Sequence, residues 1–248
     1  MKSAESYAEE ENIVLTKPIK KTSMSNSLTE RGRQQALEAA IQLMGIGFYP
    51  SYIWAGITQR SYETATIIAH EFQLGQNRIV PVYSFLDPRA LGVYEGKPLK
   101  ESMEEVHRQD EIFGISHRPP RGEDETPSES ITQVLSRDNQ LLSTIETMYS
   151  GENVLIISPD SEVLSIITAA LNSDDPDADL PKHAQFQFQN AEFRRLVPYV
   201  KPLKILSPEE TDANSRKMRA LRIKGTAEVS SLSDDNWFDL WHEAEGFK

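Results

Sequence analysis

Apolar residues fall along this chain in two rhythms. Short dense runs occur at residues 12–16 (NIVLT), 52–55 (YIWA), 78–82 (RIVPV) and 154–157 (VLII). Such runs, rich in β-branched side chains, fit strands buried on both faces. Between them apolar positions recur every three or four residues. Ala36, Ala39, Ala40 and Leu43 follow Thr29, and Tyr62, Ala65, Ile68 and Ala69 follow Thr58. Both sets predict helices, the first with Thr29 as its N-cap. Thr126-Pro127-Ser128-Glu129 carries a Thr-x-x-Glu capping box and a proline at the first helical position, so a helix is expected to run to about Tyr149. Residues 98–118 read as a charged helical excursion. At residues 183–189 Ala184, Phe186 and Phe188 alternate with polar neighbours, as on a half-buried strand, and residues 192–197 make a last strand stopped by Pro198.

Strand–helix alternation predicts an α/β protein. The expected form is a three-layer α/β/α sandwich with a mainly parallel central sheet and a C-terminal extension. Residues 1–11 read as a disordered acidic lead, residues 12–200 as the domain, and residues 201–248 as the extension. Its end places Trp237, Phe238, Leu240 and Trp241 on one side of a short helix.

Composition narrows the possibilities. The chain has 248 residues, a net charge of −12 and no cysteine. A basic field for nucleic acid is therefore not expected, and disulfides, thiolate metal sites and a cysteine nucleophile are excluded. No apolar run approaches the ~18 residues of a membrane span. The opening MKSAESYAEEEN is polar and acidic, so no secretory leader is expected.

The most telling stretch is VLIISPDSEVLSIITAALN, residues 154–172. It reads as strand, sharp turn and helix, and ligands of α/β folds bind just beyond such a strand end. Yet the turn holds Pro159, which has neither side-chain chemistry nor an N–H. The following helix start attracts anions, unless Asp160 caps it.

Six segments stand in one order: LTERGRQQA (28–36), QRSYETATIIA (59–69), LDPRALGVYEG (86–96), Gly122-Glu123 before a helix, VLIIS with its turn, and NAEFRRL (190–196). The set resembles the histidine phosphatase superfamily, in its phosphoglycerate-mutase-like branch, over residues 12–200. The resemblance implies a shared mechanism. A histidine in an Arg-His-Gly triplet after the first strand attacks the phosphoryl group, and a second histidine follows the VLIIS-like strand. Two arginines complete the phosphate pocket, one in the triplet and one in the QRSYET-like segment. A glutamate in the LDPR-like loop serves as general acid. With NIVLT as the first strand, these positions fall on Lys17-Pro18-Ile19, Pro159, Arg60 and Pro88. The nucleophile, the second histidine and the acid are all replaced by proline. None of the five histidines (His70, His107, His117, His183, His242) lies at the end of either key strand.

The expectation is therefore a catalytically inactive histidine-phosphatase-fold protein that acts as an interaction or assembly subunit. Arg60, Lys17 and Ser158 are the candidates for a residual phosphate or anion site, with pairing to Asp87 or Glu95 the plain alternative for Arg60. Glu129 is expected to cap a helix, and Asn190 and Arg194 to hold sheet and loop structure. Trp237, Phe238, Leu240 and Trp241 are the candidates for a protein partner's groove, with folding back on the domain the alternative. Two other functions stay open. One is a phosphomonoesterase without histidine, in which Asp87, Asp160, Glu162 and Lys17 gather near Arg60 and position a water or a metal ion. The other is a binder of a phosphorylated metabolite or phosphopeptide. No cofactor and no dedicated metal site is expected, and neither nucleic acid nor membrane insertion. LDPRALGVYEGKPL and PPRGEDETPSES resemble photosynthetic-lineage members of the superfamily, so a soluble protein of the chloroplast stroma is expected, with the cytoplasm as alternative.

Overall fold

The computed structural model describes residues 1–17, 23–173 and 175–196. In chain order its helices are α1 (Tyr7–Glu10), α2 (Glu30–Gly45), α3 (Gln59–Glu71), α4 (Leu99–Phe113), α5 (Ile131–Met148), α6 (Ser161–Asn172) and α7 (Pro176–Asp179). The strands are β1 (Tyr52–Gly56), β2 (Ile79–Val82) and β3 (Val154–Ile157), all parallel, in the order β2-β1-β3. Trp54 stands opposite Val80 on one side and Ile156 on the other.

Both faces of this sheet are buried, which explains the unbroken apolar runs. Side chains alternate between the faces. Ile53, Ala55, Leu155 and Ile157 meet Ala36, Ala39, Ala40 and Leu43 of α2 and Ala65, Ile68 and Ala69 of α3. Trp54 and Ile156 meet Ile131, Val134 and Leu141 of α5 and Val163, Ile166 and Ile167 of α6. The three-layer arrangement thus follows from the period-2 strands and the helical stripes facing them. The alanines of α2 and α3 let those helices lie close to the sheet.

Caps settle the helix starts. Thr29 Oγ1 accepts from Gly32 N at 2.9 Å, as expected. The expected capping box at Thr126 is corrected: the box is Ser130 with Gln133, one turn later. Residues 126–129 are diverted into backbone pairing with the loop before α4. Ala90 O accepts from Glu129 N at 2.8 Å, and Gly92 N donates to Pro127 O at 3.0 Å. Glu129 is not a cap; its carboxylate accepts from Ala90 N and Arg137.

The chain's opening departs most from expectation. Residues 1–11 are not a disordered lead. Lys2 bridges Ser158 in parallel register at the end of β3. Met1 and Ala4 enter the core beneath α2 and α3. Ser6 and Glu9 then form a capping box that starts α1. Residues 12–16 are not a sheet strand. Val14 N donates to Lys97 O and Gly96 N donates to Val14 O, each at 2.9 Å. Val14 packs with Leu91 and Val106 in a small core of its own, away from the sheet. The expected strand over residues 183–189 is largely a 3-10 helix, Leu180–Phe186, started by Pro181. Residues 192–196 form no strand; Arg194 instead clamps the carbonyls of Phe186 and Gln187 and lies over the Phe188 ring.

By contacts the chain divides into Met1–Tyr199 and Val200–Lys248. The second unit, with Trp237, Phe238, Leu240 and Trp241, lies outside the described residues. Among the described residues no helix is long and apolar enough to cross a membrane.

Candidate functional site

A cavity of about 350 Å³ opens where residues 2–16, the start of α3, α4 and the start of α6 converge. Lys2, Arg60, Asp160, Glu162, His107 and Arg89 are among its lining residues. The first three meet at the carboxyl end of β3, where an α/β fold presents its ligand site.

Residues 1–4, and not the expected first strand at residues 12–16, lie beside the end of β3. The Met1 amino nitrogen donates to Ile156 O at 2.8 Å, Ser158 N donates to Met1 O at 3.0 Å, and Ser3 N donates to Ser158 O at 2.8 Å. On the far side Lys2 N donates to Glu192 O and Ala191 N donates to Ser3 O. The triplet standing at this strand end is Lys2-Ser3-Ala4. Pro18 lies outside the described residues. Ser3 is fully buried, and its hydroxyl donates to Pro159 O at 2.9 Å. Lys2 Nζ donates to Glu9 Oε1 at 2.6 Å and also to Asn190 Oδ1. One signal for this arrangement was legible: Ser6-x-x-Glu9 is itself a capping-box spacing, unsuited to a disordered lead.

Arg60 comes to the same place from the first turn of α3 and is only 5% exposed. Its Nε donates to Pro159 O at 2.7 Å and its Nη1 donates to Asn26 Oδ1. Asp160 caps α6, accepting from Glu162 N at 3.1 Å. Burial pushes the Asp160 carboxyl up, and Arg60 offsets this only in part. Pro88 and Pro159 are both buried. Ser158 is fully buried, and its hydroxyl has no hydrogen-bond partner among the described residues. Lys17 is not among the cavity's lining residues; its ammonium pairs with Asp124 and its N–H donates to Glu95. The structure therefore brings Arg60 together with Lys2, not with Lys17.

A second polar group meets the other side of the cavity; Glu162 is a candidate in the sequence, but its partners His107 and His183 are not. Glu162, in the first turn of α6, accepts from His107 Nε2 at 2.7 Å through Oε1 and from His183 Nε2 at 3.1 Å through Oε2. Arg89 Nη1 lies 3.6 Å from Glu162 Oε2 and is held by Asp110 in a two-pronged pair at 2.5 and 2.9 Å. Burial alone would push the Glu162 carboxyl up, but the two imidazoles hold it well below the usual carboxylate range. Burial opposes a charge on His107, yet Glu162 outweighs it and raises the ring's pKa. The histidines are 76 residues apart in sequence (183 − 107), and no local pattern joins them.

Comparison with known proteins identifies the family and the fold. The sequence matches the histidine phosphatase superfamily (branch 1) over residues 19–207. No curated protein sequence matches the chain significantly. Among solved structures it is similar to a mycobacterial glucosyl-3-phosphoglycerate phosphatase complexed with VO3, with a TM-score of 0.59 and 18% identity over 77% of this chain and 85% of that one. It is also similar to the alpha-ribazole phosphatase from Shigella flexneri, with a TM-score of 0.56 and 18% identity over 77% and 85% of the two chains. At this identity the likeness is one of fold. The family match covers most of the chain, and the chain belongs to the histidine phosphatase superfamily, branch 1.

Proposed function

We propose that this chain keeps the histidine-phosphatase fold without its phosphohistidine chemistry, and uses the strand-end cavity to hold an anion as a non-catalytic interaction or assembly subunit. The observation that carries this reading is the pairing of Ser3 with Pro159 O. Ser3 sits where residues 1–4 run beside the end of β3, so we assign the triplet's nucleophile position to it rather than to Pro18. A serine attacks phosphorus only when a base takes its proton. Here the hydroxyl faces a carbonyl oxygen, which is no base. The second-histidine position is Pro159 and the general-acid position is Pro88. Losing a nucleophile alone costs about 10⁴–10⁶ in rate in enzymes whose groups act as a unit. Lys2 and Arg60 remain as cations facing the cavity, and a phosphate or carboxylate is the ligand that two such cations recognise. The partner surface is proposed for the aromatic tail, and a chain lacking residues 226–248 that stays folded but no longer captures a partner supports it.

A phosphomonoesterase without histidine is the second reading, and Asp160 favours it. Its raised carboxyl beside Arg60 is suited to protonating a leaving oxygen. One experiment separates the two. The purified chain is incubated with a panel of phosphomonoesters, and its melting temperature is measured with vanadate and with inorganic phosphate. The expected outcome is turnover at background together with a saturable rise in melting temperature, since a ligand at 100 times its Kd stabilises by about 2.7 kcal/mol. Arg60→Gln should abolish the rise. Turnover well above background that Asp160→Asn removes replaces the non-catalytic reading with the esterase.

A further inference from the structure

We propose that His107, Glu162 and His183 form a binding site for a first-row divalent transition ion, zinc being the best fit, with its open position facing the cavity. This inference is independent of the anion site at Lys2 and Arg60 and concerns binding alone.

The ligand atoms are already gathered. One atom from each of the three residues lies within 4.8 Å of the others. Around a tetrahedral zinc with bonds of about 2.0–2.1 Å, neighbouring ligand atoms stand roughly 3.3 Å apart. His107 Nε2 stands 2.7 Å from Glu162 Oε1 and His183 Nε2 stands 3.1 Å from Oε2, so the carboxylate must turn one oxygen toward an ion and the contacts must lengthen by about 0.2–0.6 Å. Two imidazole nitrogens and one carboxylate oxygen, with no sulfur, select borderline ions of the zinc, cobalt and nickel kind over calcium or magnesium. Three protein ligands leave one position open, as in zinc sites that exchange water or an anionic oxygen.

The surroundings support the same assignment. His183 Nδ1 faces Leu180 O at 3.1 Å, and a carbonyl only accepts, so the proton sits on Nδ1. That hydrogen bond orients the ring and leaves Nε2 as the atom aimed at the cluster, which is how metal-binding imidazoles are held. Arg89 does not fill the site, because its charge is committed to Asp110, and its 3.6 Å approach to Glu162 Oε2 steadies the carboxylate from outside. His107 and Glu162 line the cavity, so an ion has a route in. A purely structural cluster would also use these contacts, and the test turns on telling the two apart.

The full chain is stripped with a chelator and titrated with Zn²⁺ by calorimetry and with Co²⁺ by visible absorption. Expected are one ion per chain, ligand-field bands of four-coordinate cobalt, and a higher melting temperature with Zn²⁺. Glu162→Gln keeps the side chain's shape and hydrogen-bonding reach, and His107→Gln alters the edge that lines the cavity. Each should weaken binding by a factor of 10 or more. Should either variant fold poorly, the wild type still decides, because the imidazole ¹⁵N resonances of His107 and His183 must shift with one equivalent of Zn²⁺. No stoichiometric uptake, unaltered affinity in the folded variants, or uptake with both imidazoles unmoved would overturn the site. If the zinc-loaded chain hydrolyses phosphomonoesters, the non-catalytic reading falls while the metal site stands. If vanadate fails to bind, the metal site is untouched.

Discussion

At the scale of the residue, burial sets the chemistry more than residue type does. Arg60, a pocket residue in the sequence, spends Nε and Nη1 on Pro159 O and Asn26. Asp138 is the opposite case, a buried carboxyl on α5 whose two oxygens have no hydrogen-bond partner among the described residues. Burial pushes it well above its ordinary 3.8, and Arg137 offsets this only partly. The sign follows from linkage. Below pH 3.8 both folded and unfolded chains carry the proton, and Asp138 costs nothing for charge. As pH rises past 3.8 the unfolded chain releases its proton first, so stability falls until the folded form also ionises. Asp138→Asn removes this slope. Denaturant unfolding at pH 4 and pH 7 should show the variant gaining relative to wild type as pH rises. An equal difference at both values would mean the carboxylate is charged without penalty.

At the scale of the element, local signals succeeded where the backbone makes its own bonds. Thr29 caps α2 as the sequence indicates, and Asp160 caps α6, one of the two roles the sequence left open there. The box expected at Thr126 failed because residues 126–129 found backbone partners in the loop around Leu91. A distant strand-like pairing outweighed a local cap. Gly32 shows the reverse influence, of a neighbour on a helix. A Cβ there would overlap the carbonyl oxygen of Glu5, whose backbone crosses the start of α2. Alanine normally gains about 1 kcal/mol over glycine inside a helix. Gly32→Ala is nevertheless expected to lose about 1–3 kcal/mol through overpacking. Urea unfolding measures it, and a neutral or stabilising result would show that residue 5 does not pack there.

At the scale of the whole molecule, the opening residues are bonded to the end of β3 and buried rather than an appendage. Ser3, Ala4 and Ser6 are fully buried, and Thr29 N, Ser158 N and Ile156 O all find partners in residues 1–5. Removing residues 1–6 would expose the apolar surface under Met1 and Ala4, roughly 2–3 kcal/mol by area. It would also strip partners from buried backbone groups, at about 1–3 kcal/mol each. Domains have only about 5–15 kcal/mol in hand. The shortened chain should therefore lose cooperative unfolding or melt far lower by circular dichroism. An unchanged melting temperature would restore the disordered-lead reading.

The sequence by itself determined the α/β class, strands β1 to β3, helices α2, α3 and α6, and family membership. Each of those rests on periodicity or order along the chain, which is local information. Tertiary structure alone decided which segment lies beside β3. Residues 12–16 look more like a strand than residues 1–4, yet only the latter find open backbone partners at Ser158 and Ala191. It likewise decided that Lys2 rather than Lys17 accompanies Arg60. It also brought His107 and His183 to one carboxylate. Contacts between residues so far apart leave no period in the chain; they exist only once α4, α6 and the Leu180–Phe186 turn pack together.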